Sequence, residues 1–100
     1  MPFNSEAIPF SRPGVESVNE VAGVFGLFGP SPRPEGFECV LIVEAKNLRR
    51  RLRWQLKHPP TTGFVTHFYV ELLPNYAQRT RRVAELVREF QPRGDTIREC

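Results

Sequence analysis

No apolar run in this chain approaches the roughly twenty residues that a membrane-crossing helix needs. The N-terminus also lacks a basic segment followed by an apolar core and a cleavage site. The expectation from these absences is a cytoplasmic protein with no membrane partner. Cysteine is scarce: Cys39 sits inside an apolar run and Cys100 stands at the end. The two form neither a C-x-x-C pair nor a metal-ligand spacing, so no zinc site or disulfide framework is expected. Internal repeats are lacking too. A length of 100 residues leaves room for one hydrophobic core and not two. Lysine is nearly absent, since arginine supplies all but two of the 14 basic residues. Arginine's planar fork suits bidentate contact with phosphate or carboxylate, whereas a net charge of +3 steers little over a distance.

What is present is a clear order of apolar patterns. Residues 1–20 carry three prolines and little periodicity, which predicts an irregular lead-in with one helical turn around residues 15–18. A single domain is expected over residues 21–92 and a loose tail over 93–100. Residues 23–28 read as a first strand, and the proline-rich residues 29–36 as a loop. Residues 37–44, nearly continuous in Val, Leu and Ile, read as a central strand covered on both faces. Asn47 is the expected N-cap of a helix over 47–57, stopped by Pro59 and Pro60. At about 100° per residue, Leu48, Leu52, Gln55 and Leu56 share one face and Lys46, Arg49, Arg50, Arg53 and Lys57 the opposite one. Arg51 falls on the flank of the leucine stripe, from where its side chain reaches back along the sheet. A third strand over 64–72 puts Phe64, Thr66, Phe68, Val70 and Leu72 on one side and Val65, His67, Tyr69 and Glu71 on the other. A second helix over 76–90 turns Tyr76, Val83, Leu86, Val87 and Phe90 inward. Its outer face carries Arg81, Arg82, Glu85, Arg88 and Glu89, with Arg81 and Glu85 spaced to pair. The order β-β-α-β-α defines an α/β chain of α+β type, a three-stranded antiparallel sheet flanked by helices.

With Gly23-Val24-Phe25 opening the first strand and LIVEAKNLRRRL (residues 41–52) spanning the second strand and first helix, this order resembles the GIY-YIG nuclease superfamily. Gly23-Val24-Phe25 stands for the family's G-[IV]-Y strand and Leu41-Ile42-Val43 for its Y-[IV]-G strand end. Ala45-Lys46-Asn47-Leu48 and Arg51-Leu52 fit the turn and the N-L-x-x-R helix, and Leu86-Val87 with Pro92 resemble the end of the second conserved helix. The likeness spans about residues 9–92. Such nucleases use a pair of tyrosine hydroxyls, an arginine, and a glutamate that holds a divalent metal. Carried over by position, the tyrosines fall on Phe25 and Leu41, the YIG glycine on Val43, the arginine on Arg51 and the glutamate on Val83. Arg51 alone keeps its chemistry.

Phe25 and Leu41 have no hydroxyl to pass a proton, and Val83 has no oxygen for a hard cation. The resemblance therefore implies a domain that has lost endonuclease chemistry, with Arg51 left in the old catalytic groove. Nucleic acid is the expected partner, contacted by Lys46, Arg49, Arg50, Arg53 and Lys57, whose guanidinium and ammonium groups replace counterions along a phosphate backbone. One alternative is a protein-interaction or assembly module, in which Phe25, Leu41 and Val43 turn the site into apolar packing or a docking surface. Another is a divergent endonuclease in which a nearby carboxylate, Glu44 being nearest in sequence to the site, helps to hold Mg²⁺; the first two readings need no cofactor. Trp54 reads as a packing residue before a base-stacking one. His67, Tyr69 and Glu71 read as structural, and Cys39 as a small buried apolar residue.

Overall fold

The computed structural model describes residues 6–30, 36–60 and 64–90, and the backbone of 97–98. In chain order the elements are β1 (Ile8–Pro9), α1 (Arg12–Glu16), β2 (Gly23–Pro30), β3 (Phe37–Ala45), α2 (Leu48–Lys57), β4 (His67–Leu72), α3 (Tyr76–Phe90) and β5 (Ile97–Arg98). One sheet runs in the order β1-β4-β2-β3-β5. Its antiparallel part has four strands, where three are expected from the sequence, and β5 adds a short parallel rung opposite Val43 and Glu44. The added strands are two residues long, too short to leave a period-2 pattern. Much of the expected proline-rich loop, residues 61–63, Pro92, Gly94 and Cys100 lie outside the described residues.

Among the long strands β2, not β3, is the middle one, paired with β3 on one side and β4 on the other. Every residue from Gly23 to Gly29 is buried, and so is every one from Cys39 to Ala45. Continuous apolar sequence thus reports cover on both faces, which β2 and β3 share, and does not report position in the sheet. β4 begins at His67, three residues later than the alternation predicts. Thr66, just before it, already donates its amide to the Phe28 carbonyl at 2.8 Å.

The two sheet faces carry separate cores. On one side Phe25, Leu27, Leu41, Val43 and Phe68 pack with Leu48 and Leu52 of α2 and with Val15 and Val18 from the α1 segment. On the other, Val24, Phe28 and Ile42 pack with Val83 and Leu86 of α3. A bulge separates the parities: Leu27 faces Leu41 while Phe28 faces Cys39, leaving Val40 as the extra residue. Cys39 consequently joins the α3 side although Leu41 and Val43 join the α2 side.

α2 starts where expected, the Asn47 side chain accepting from the Arg50 amide at 3.0 Å. In the lead-in, Ser11 caps α1 and Pro13 sits in its first turn, where a missing N–H does no harm. Among the described residues no helix is long and apolar enough to cross a membrane.

Candidate functional site

The basic face of α2 divides in two. Arg49 leans toward the α1 segment, donating its Nε to the Val18 carbonyl at 2.7 Å and lying 3.9 Å from Glu20. Arg53 is held in a fork by Glu16, its Nε and Nη2 each 2.6 Å from a carboxylate oxygen. This contact draws the Glu16 carboxyl below its ordinary value and raises Arg53 further. Lys46, Arg50 and Lys57 remain exposed on the same arc. Arg12 of α1 adds a cation there, since Arg12, Glu16, Arg53, Leu56 and Lys57 line one open cleft of about 280 Å³. Arg12, Glu16 and Glu20 escape sequence reasoning because they stand in the lead-in, far along the chain from the helix they meet.

Arg51 takes a different surrounding. Its guanidinium lies over the Trp54 ring at 4.3 Å, a cation–π contact. The His58 ring stacks on the same indole at 4.4 Å with an interplanar angle of 21°. Arg51 precedes Trp54 by three residues and His58 follows by four, so they approach its ring from opposite ends of the helix. Trp54 is 45% exposed, and its ring touches both of these groups. The Nε of Arg51 is buried without a hydrogen-bond partner, and among the described residues no carboxylate pairs with it.

Phe25, Leu41 and Val43 are fully packed against α2 and offer neither groove nor docking surface. Val83 is buried on the opposite side of the sheet, so these positions are not brought together. Glu44 is also on that far side: it stands in register with Val24, which in turn faces Glu71. Each of the two carboxylates takes an arginine from α3. Arg79 donates its Nε to Glu44 at 2.9 Å and its Nη1 to the carbonyls of Leu73 and Pro74. Arg82 grips Glu71 through Nε at 2.9 Å and Nη2 at 2.7 Å.

These pairs correct the helical-wheel reading of α3. Arg79 is buried in place of Tyr76, which is exposed, and Arg82 is drawn onto the sheet. Glu85 pairs with Arg82 at 3.3 Å and not with Arg81. Glu44 is thereby committed to structure, although its Oε1 remains without a partner. His67 and Tyr69 join an aromatic cluster with Phe28, and burial lowers the His67 pKa.

Among the described residues no three His, Cys, Asp or Glu side chains come together to hold a metal ion. Val83, which the resemblance would set at the metal-holding glutamate, offers no oxygen, so the residues there do not fit the divalent cation that the resemblance implies. No family model matches the chain, and it matches no curated protein and no solved structure.

Proposed function

We propose that this chain is a GIY-YIG-like domain without endonuclease chemistry that binds the phosphate backbone of nucleic acid through α2. The observation that carries the reading is the convergence of Arg50, Arg53 and Lys57 on one exposed arc, joined across the cleft by Arg12. Arg49 is assigned to holding α1, because its side chain is half-buried and its Nε is taken by a carbonyl. The order of the long elements and the retained Arg51 support the family likeness. Arg51 contributes positive charge beside the arc and does no chemistry, since its neighbours are an indole and an imidazole.

Fluorescence anisotropy with labelled duplex and branched DNA at several salt concentrations tests this. With about three phosphate contacts, log affinity falls against log salt with a slope of about −3. Absence of binding at low salt overturns the reading. A second reading, a protein-interaction module, is favoured by Phe37 and Phe64, 63% and 75% exposed at the Pro30 end of the sheet. Its mark is concentration-dependent association in sedimentation that Phe37→Ser and Phe64→Ser abolish together.

A further inference from the structure

We infer that the cleft between α1 and α2 is a binding site for a phosphate group whose arginine is occupied in the free protein by Glu16. Arg12, Arg53 and Lys57 supply three cations to this cleft and Glu16 one carboxylate. Two positive charges are left over, which matches a phosphate dianion. Half-buried Leu56 adds an apolar wall, and about 280 Å³ suits a phosphate carrying a small organic body.

The Glu16 carboxylate meets Arg53 with the bidentate geometry by which arginine takes phosphate oxygens. Glu16 is therefore an internal stand-in for the ligand. It is a weak one, because both partners are exposed and water and salt screen such a pair. A guanidinium has five N–H donors, of which Glu16 uses two. An arriving phosphate engages the open Nη1 edge and then displaces the carboxylate, which swings into solvent. Arg12 and Lys57, which hold no carboxylate in a fork among the described residues, supply the charge that favours the exchange.

The ligand chemistry rests on the polyanion reading of α2; what is added is a defined subsite and a competitor built into the chain. NMR of the ¹⁵N-labelled full chain, titrated with inorganic phosphate against sodium chloride at matched ionic strength, tests it. Saturable shifts are expected at the Arg53 Nε–Hε group and at the amides of Arg12 and Lys57, in phosphate alone. Glu16→Gln removes one like charge several ångströms from the anion and tightens phosphate binding roughly three- to tenfold. A merely structural role for Glu16 predicts weaker binding instead. Arg12→Ala, which leaves the Glu16–Arg53 fork intact, weakens binding by a similar factor.

Equal shifts in phosphate and chloride overturn the inference, as does a Glu16→Gln variant that binds phosphate no more tightly. Duplex DNA titrated in parallel separates the two readings. DNA binding that is lost in Arg50→Ala but indifferent to Arg12→Ala and to added phosphate overturns the subsite alone. Phosphate shifts without any DNA binding overturn the nucleic-acid reading and leave the subsite standing.

Discussion

Arg79 donates its Nε to Glu44 across 2.9 Å, and both side chains are almost wholly withdrawn from water. The pair fixes α3 to β3 at the point where Val24 also carries Glu71 into register with Arg82. Two acids projecting from one sheet face are thus each neutralised by an arginine from the same helix. A buried pair of this kind is costly to break from one side, because the remaining charge has no water to solvate it.

Arg79→Ala is expected to lower unfolding free energy by about 3–5 kcal/mol, since it strands the Glu44 carboxylate. It also removes the donor to the Leu73 and Pro74 carbonyls. Glu44→Ala should cost less, because Arg79 keeps both carbonyl acceptors. Urea unfolding of the two variants decides the order, and an equal or reversed ranking shows that stranding the carboxylate is not the larger cost.

Gly23, which opens the motif carrying the family likeness, is needed for a packing reason of its own. A Cβ there would collide with the carbonyl oxygen of Glu71 on β4 and lie 2.9 Å from Leu48 Cδ1. Gly23→Ala should therefore reach the upper end of the about 1–3 kcal/mol that overpacking costs. Thermal unfolding measures it, and a variant as stable as the parent would show that β2 and β4 separate easily.

The long elements were legible because each carries its own local signal. Asn47 and the Pro59-Pro60 pair bracket α2, and the leucine stripe names its buried face, where Leu48, Leu52 and Gln55 are found. The sense of each side chain in β3 was not legible, because a run apolar at every position has no alternation from which to read a bulge at Val40. The wheel for α3 left Arg79 unassigned and failed at Arg82, for an electrostatic reason. Charge assigns arginine to solvent, while Glu44 and Glu71, on strands distant in sequence, pull Arg79 and Arg82 inward. The basic composition of α2 is plain in the sequence, whereas the partners of its arginines are not. That Arg49 and Arg53 meet carboxylates depended on Glu20 and Glu16, in a segment with no pattern to interpret.

Cys39 is buried among apolar side chains, and burial pushes its thiol from an ordinary value of 9.0 up to about 12. A folded-state pKa raised above the unfolded one gives stability that is complete below the unfolded value and lost as pH rises through the folded one. Between pH 9 and 12 this group alone should remove about 1.4 kcal/mol per pH unit. With Cys100 replaced by Ser in both chains, the stability of the parent should fall more steeply over that range than that of Cys39→Ala. Parallel slopes would mean that the thiol ionises without unfolding.

Trp54 offers the sharpest division between a basic helix that tracks phosphates and one that also reads bases. Stacking of a base on an aromatic residue is worth about 1–3 kcal/mol by alanine substitution, roughly five- to 150-fold in affinity. The Trp54 ring is already in contact with the Arg51 guanidinium and the His58 imidazole, so a stacking base competes with both. Trp54→Ala is accordingly expected to change single-stranded DNA affinity by less than about threefold, below the range that stacking supplies. Arg50→Ala should weaken duplex and single strand alike and make the salt slope shallower by about one. A tenfold loss in Trp54→Ala, confined to single strands, would instead mean that the stack opens on binding and that the indole is the contact surface.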